Sequence, residues 1–195
     1  MHAVEQPANI RQAATKRRAE FLAGRLCARA AIDQLTGRNE IPGIGKHHAP
    51  LWPEGLCGSI THSDGYAAAL AARRSDWRSL GLDIETLLEE QQAIELAREI
   101  LTLQERQRLL SQEHAFEVTL AFSLKESLFK ALYPLSGTRF YFEHAELLEW
   151  QTDGYARLRL LTDLSSEWCR GREFVGRFEL KERQLLTLVA IPSEL

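Results

Sequence analysis

Around residues 11–35 the apolar side chains Ile10, Ala14, Phe21, Leu22, Leu26, Ala30 and Leu35 recur at helical spacing, and Gly37 stands just past the last of them. The pattern predicts one long amphipathic helix. The stretch that follows, TGRNEIPGIGKHHAPLWPEG, concentrates glycine and proline and reads as a loop. Three short apolar runs come next, LCGSITH, GYAAALAA and SLGLDIE, separated by SDG and RRSDWR, as antiparallel strands joined by turns would be. Residues 88–133 return to helical periodicity in three pieces, near LEEQQAIELAREIL, TLQERQRLLS and FEVTLAFSLKESLFKALY, with Pro134 as the stop. The tail again reads as strands, AELLEW, YARLRLL, EFVGRFEL and LLTLVAI, with turns at Asp153-Gly154 and Lys181-Glu182-Arg183. Helix then strands, followed by helices then strands, implies an α+β protein of two comparable lobes, residues 1–86 and 87–195, with LGLDIE at their junction.

LGLDIE breaks its own pattern. Three apolar residues lead into Asp83 and Glu85, two apart around an isoleucine. On a strand both would project from one face with roughly 7 Å between their Cα atoms. Like charges so placed need solvent, a basic neighbour or a cation, and burying them without a partner is costly.

A third acid comes from FSLKESLFKA, where Glu126 and Lys130 lie four apart and share a helix face. Alone, the pair reads as a surface salt bridge worth a few tenths of a kcal/mol. However, Phe122, Phe129 and Tyr133 share or border that side, while Leu120, Leu124 and Leu128 form a stripe roughly opposite, so a charged pair among aromatics suggests a cleft. Three carboxylates from a strand and a helix suit Mg²⁺, which takes oxygen ligands and leaves room for water and substrate phosphate. No clustered His and Cys ligands propose a softer metal.

The basic counterpart is KRRAEFLAGRLCAR. Arg17 and Arg25 are eight residues apart, able either to grip separated phosphates along one helix side or to form a solvated basic face. GSITHSDG adds Thr61, His62 and Ser63 as hydroxyl and imidazole donors beside a turn.

Composition narrows the classes further. The 195 residues are 45% hydrophobic and 26% charged with a net charge of -3, so nothing global advertises nucleic acid or a membrane surface. No apolar run approaches the ~20 residues of a membrane span, and the N-terminus lacks the apolar core of a signal peptide, which together predict a cytoplasmic protein without a transmembrane segment. The three cysteines, Cys27, Cys57 and Cys169, are too few and too scattered for a disulfide framework or a zinc site and are expected to be small buried residues.

In this order KRRAEFLAGRLCAR, PLWPEGLCGSITHSDGYAAA, LGLDIE and FSLKESLFKALYP resemble the 4′-phosphopantetheinyl transferase superfamily, in particular its siderophore-synthase, enterobactin synthase component D-like type. The matching segments run from about Lys16 to Pro134; G-x-D-x-E followed downstream by K-E-x-x-x-K is specific in combination. The resemblance implies a pseudo-twofold pair of similar α+β lobes with coenzyme A, the donor substrate, bound between them. It implies Asp83, Glu85 and Glu126 as Mg²⁺ ligands, and Glu126, Lys130 and Asp83 as the catalytic group, with Glu126 a candidate base and Lys130 on phosphate. It places Arg17, Arg25, Thr61, His62 and Lys130 on coenzyme A phosphates and His47, His48, Ala49 and Pro50 around the nucleotide. Two features depart from the family: the loop reads His-His-Ala-Pro rather than a Lys-Arg-Glu-Pro-like sequence, and the segment before the arginine helix is short. The second implies a first lobe without its first strand, or a chain begun at a late start codon.

The activity implied is Mg²⁺-dependent transfer of phosphopantetheine from coenzyme A to a serine of an apo carrier protein, acyl, peptidyl or aryl, by a monomer, leaving adenosine 3′,5′-bisphosphate. Siderophore, nonribosomal peptide, polyketide or fatty acid biosynthesis would use it. Two alternatives use the same residues differently: a Mg²⁺-dependent nucleotide hydrolase, for which the chain offers no P-loop, and a non-catalytic module that binds coenzyme A or a carrier.

Overall fold

Small residues decide where the first long helix sits. In the computed structural model, which describes residues 7–45, 49–108 and 114–193, a short helix α1 (Ala8–Arg11) precedes α2 (Thr15–Thr36). Gly24, Arg25, Ala28 and Ile32 form the buried side of α2. A Cβ at Gly24 would lie 2.7 Å from Ile60 Cγ2, so the helix rests directly on the strand beneath it. The periodic stretch is therefore two helices rather than one: Gln12 closes the first turn, and Ala14, with extended backbone (φ -55°, ψ 151°), starts the second. Gly37 ends α2 in the left-handed region (φ 71°), where glycine carries no steric penalty.

The predicted loop contains a two-residue ladder, β1 (Gly43–Ile44) with β2 (Pro50–Leu51), too short to leave a periodic signal. Next come β3 (Leu56–Ser63), β4 (Tyr66–Arg73) and β5 (Trp77–Thr86), where the alternation predicted them. β3 and β4 form their own antiparallel hairpin. β5 instead joins a five-stranded antiparallel sheet of order β5-β9-β8-β7-β6, built with β6 (Ala145–Trp150), β7 (Tyr155–Leu160), β8 (Glu173–Lys181) and β9 (Gln184–Pro192). It thus serves both halves of the chain: β9 pairs along it from Trp77↔Pro192 to Thr86↔Gln184, while alternate β3 side chains reach it from the other side.

Helices α3 (Glu90–Ile100), α4 (Leu103–Arg108) and α5 (His114–Ser136) separate β5 from the remaining strands. The Leu120, Leu124 and Leu128 stripe is fully buried and forms the centre of the core with Leu147, Leu158 and Leu185. Two glycines permit this contact. A Cβ at Gly81 would fall 1.8 Å from the Ser127 carbonyl oxygen, and one at Gly176 would fall 2.7 Å from Leu124 Cδ2. Pro134 does not stop α5 as expected. It lies within the last turn, where a missing N–H forfeits a single helical bond, and the chain leaves the helix at Gly137 (φ 68°). Of the cysteines, all free, Cys57 alone is buried; Cys27 is half-buried and Cys169 exposed, so the expectation of three buried thiols is corrected. No helix among the described residues is long and apolar enough to cross a membrane.

Candidate active site

Because β5 alternates, Asp83 and Glu85 point to one side of the strand. The close approach at Gly81 brings α5 over that side, and the hairpin strand β3 closes it from the other. Asp83, 3% exposed, is held by three donors: Lys130 Nζ at 2.6 Å and Thr61 Oγ1 at 3.1 Å on Oδ1, and Ser123 Oγ at 2.8 Å on Oδ2. Lys130 also donates to the Leu82 carbonyl at 3.1 Å and to Thr61 at 3.3 Å. The helical neighbours Glu126 and Lys130 therefore do not form the simple surface salt bridge their spacing permits. The ammonium crosses to the strand instead, because Asp83 is the more deeply buried anion and the more exposed Glu126 can remain hydrated.

Glu85 accepts a hydrogen bond from Ser63 at 2.9 Å. Burial and then the Asp83 charge push its carboxyl up to about 7. Glu126 is raised as well, first by burial, with Lys130 opposing and Asp83 reinforcing. Three acids thus share one lysine. An all-oxygen, charge-dense donor set of this kind fits a hard divalent cation. The acids are not gathered as they stand: among the described residues no three or more His, Cys, Asp or Glu side chains group closely enough to hold an ion. Lys130 and Ser123 occupy one oxygen each of Asp83, and Ser63 takes one of Glu85.

The two arginines part company. Arg17 is exposed, and its Nη1 donates to His62 Nε2 at 2.9 Å. A guanidinium only donates, so His62 Nε2 is the acceptor and its proton resides on Nδ1, which faces Glu20 at 3.6 Å. Burial, more than the nearby Arg17 and Lys130 charges, holds the imidazole below its ordinary range, consistent with a neutral ring. Arg25 is 4% exposed; its Nη1 donates to the Pro42 and Gly43 carbonyls at 2.6 Å each, and its guanidinium stacks over Phe21. It anchors the loop leading to the Ala49–Pro50 segment rather than extending Arg17's exposed face. His47 and His48 lie outside the described residues, whereas Ala49 and Pro50 are partly buried where β2 begins.

The aromatics flanking Glu126 have structural partners. Phe122 meets Phe142 at 5.3 Å between centroids, and Phe129 stacks on Tyr133 and meets Phe140 edge-on. Sequence reasoning also passed over Lys125, the first residue of K-E-x-x-x-K. Its Nζ is buried and donates to Glu105 at 2.8 Å, to the Ile100 carbonyl at 2.7 Å and to the Phe142 carbonyl at 3.1 Å. Sequence reasoning named Thr61 and Ser63 as donors but passed over their alternation with Cys57 and Ser59 along β3. Each sends its sulfur or oxygen to β5, a period-2 polar stripe visible in LCGSITHS.

The family model described as 4′-phosphopantetheinyl transferase N-terminal domain matches residues 5–72, and that of the 4′-phosphopantetheinyl transferase superfamily matches residues 79–187, which include Asp83, Glu85, Glu126 and Lys130. Enterobactin synthase component D of Salmonella typhi is 44% identical over 124 residues, covering 63% of this chain and 51% of that protein. The chain therefore matches about half the length of that relative. The 4′-phosphopantetheinyl transferase Svp of Streptomyces mobaraensis is 36% identical over 197 residues, covering 97% of this chain and 78% of that protein. Among solved structures, holo-[acyl-carrier-protein] synthase of Thermotoga maritima aligns with a TM-score of 0.45 at 23% identity, over 59% of this chain and 63% of that one. With more than half of its residues inside the second family model and most of its length aligned to Svp, the chain belongs to the 4′-phosphopantetheinyl transferase superfamily.

Proposed function

We propose that the protein transfers the 4′-phosphopantetheine arm of coenzyme A to a serine hydroxyl of an apo carrier protein, releasing adenosine 3′,5′-bisphosphate. The observation that carries this reading is the placement of Asp83, Glu85, Glu126 and Lys130 around one strand–helix contact, within a chain of this family. The serine oxygen forms a bond to the phosphorus bearing pantetheine, the bond from that phosphorus to the bridging oxygen breaks, and the bisphosphate leaves with the electron pair.

Asp83, Glu85 and Glu126 would hold Mg²⁺, which when bound supplies positive charge to the pyrophosphate. The chain's own residues do the rest. Glu126, whose proton affinity is raised by burial, accepts the serine proton. Lys130 sits on Asp83 Oδ1 and is within reach of Thr61, from where its ammonium neutralises phosphate charge. Arg17, exposed and oriented by its bond to His62, binds a phosphate. His62 then acts as an acceptor that holds Arg17 rather than as a phosphate donor. Arg25 fixes the loop before Ala49 and Pro50, beside which the nucleotide lies. The same reading makes the protein a cytoplasmic monomer with a carrier protein, acyl, peptidyl or aryl, as its partner.

The test is intact-mass analysis of apo acyl, peptidyl and aryl carriers after incubation with the protein, coenzyme A and Mg²⁺. A mass gain of one phosphopantetheine, lost with Asp83→Asn, is expected. No gain on any carrier class overturns the proposal.

A further inference from the structure

Behind Asp83 lies a row of buried hydroxyls that the transfer reaction itself does not use. Thr187 is the residue directly across from Asp83 in the β5–β9 register. Its Oγ1 is 2.9 Å from Ser123 Oγ and 2.7 Å from Ser127 Oγ, and Ser123 Oγ is 2.8 Å from Asp83 Oδ2. Ser123, Ser127 and Thr187 are all fully buried. The chain Ser127, Thr187, Ser123, Asp83 crosses from α5 to β9, back to α5 and on to β5.

The direction of its protons is fixed by its end. Each hydroxyl has one proton to give, and a carboxylate only accepts. Ser123 therefore spends its proton on Asp83 Oδ2 and must accept from Thr187. Thr187, having given its proton to Ser123, must accept from Ser127. The Ser127 proton points to Thr187 Oγ1, with the Thr187 carbonyl at 3.1 Å a secondary acceptor. All the dipoles align toward Asp83, and such chains strengthen one another in a buried setting.

We propose that Ser123 and Thr187, with Ser127 behind them, are positioning residues that lock the Asp83 carboxylate. They tie down Oδ2 from the core side and so hold the carboxylate in one orientation, its Oδ1 turned toward Thr61, Lys130 and the side where a divalent cation would bind. The proposal rests on Asp83 being a cation ligand, as in the proposed function. Outer partners of this kind typically change metal affinity by about 10- to 100-fold when removed. The Thr187 hydroxyl is one hydroxyl removed from Asp83, so its bond reaches the carboxylate through Ser123.

The experiment titrates Mn²⁺ into the full chain with coenzyme A present and follows the free-ion electron paramagnetic resonance signal. Thr187→Val replaces the hydroxyl by a methyl of similar size; about tenfold weaker Mn²⁺ binding is expected at an unchanged fold by circular dichroism. Thr187→Ser, which keeps the hydroxyl, restores binding. Ser123→Ala removes the last bond of the chain, is expected to weaken binding at least as much, and carries the test if Thr187→Val does not fold. Asp83→Asn separates the two levels of inference. If it binds Mn²⁺ like wild type, Asp83 is not a ligand and both the functional reading of Asp83 and this proposal fall. If Asp83→Asn loses binding while Thr187→Val and Ser123→Ala retain it, the positioning proposal alone is overturned. It is equally overturned if Thr187→Ser is as weak as Thr187→Val, because shape rather than the hydroxyl is then what matters.

Discussion

Lys125→Met is expected to be among the most damaging single changes away from the transfer chemistry. The Lys125 side chain is 1% exposed and its partner Glu105 is 0% exposed. All three ammonium protons are used: on Glu105 at 2.8 Å, the Ile100 carbonyl at 2.7 Å and the Phe142 carbonyl at 3.1 Å. Burial pushes the Lys125 ammonium below its ordinary range, opposed by Glu105. Glu105 in turn accepts from the Thr102 and Leu147 amides at 2.6 Å each and completes a capping box with Thr102 at the start of α4. Methionine fills similar space but leaves two carbonyls and a buried carboxylate short of donors. Removing one partner of a buried ion pair costs about 3–5 kcal/mol, and at about 2–4 °C per kcal/mol for a chain of this size the melting temperature falls by roughly 6–20 °C. Thermal unfolding of wild type, Lys125→Met, Glu105→Gln and the double variant checks it. The double variant should lose clearly less than the sum of the singles, since neither leaves an unpaired charge once both are changed. A Lys125→Met melting point within about 3 °C of wild type would refute the buried-pair reasoning.

Three further outcomes follow from the same geometry. Gly81→Ala places a Cβ 1.8 Å from the Ser127 carbonyl oxygen and 2.7 Å from the Ala131 nitrogen. Because backbone must move, its denaturation midpoint is expected to report at least the upper end of the ~1–3 kcal/mol typical of overpacking, and a midpoint equal to wild type would contradict the contact. Glu85 holds its proton up to about 7 when folded, so the stability it contributes is fully present below the ordinary carboxylate range and is lost as pH rises through about 7. Denaturant unfolding in EDTA should therefore show wild type losing on the order of 1–2 kcal/mol between pH 5 and 8 relative to Glu85→Gln, after allowance for partial exposure; parallel pH profiles would contradict it. Arg25→Ala removes both carbonyl anchors of the loop at Pro42 and Gly43, and a loss of about 1–3 kcal/mol in unfolding free energy is expected even without coenzyme A. A variant as stable as wild type would return Arg25 to a purely ligand-binding role.

Much of this was legible in the chain because the signals are local. The period-2 runs of LCGSITH, YAAALAA and LGLDIE mark strands, and the 3.6-residue leucine stripe of α5 marks its core face, so Asp83, Glu85 and Glu126 are placed by periodicity alone. What periodicity does not hold is distance across elements. That Lys130 turns to Asp83 rather than Glu126 depends on how closely α5 approaches β5, which is set by the missing side chain of Gly81. That β5 pairs with β9, about a hundred residues on in the chain, is likewise a tertiary fact. Lys125 and Lys130 look alike in the motif, yet one is buried on Glu105 and the other is partly exposed on Asp83, a difference set by the helix face each occupies. Arg17 and Arg25 separate for the same reason: Arg25 shares the buried face of α2 with Gly24, Ala28 and Ile32.

The proposed function requires that the acids and the lysine around β5 move phosphopantetheine onto a carrier rather than onto water. The measurement that tests it most directly follows, in one reaction with limiting coenzyme A, both the adenosine 3′,5′-bisphosphate released and the carrier modified. A one-to-one ratio is expected, with no bisphosphate without carrier and loss of both products in Asp83→Asn and Lys130→Met. Bisphosphate released steadily in the absence of carrier, or carrier modified at wild-type rate by Lys130→Met, would contradict it.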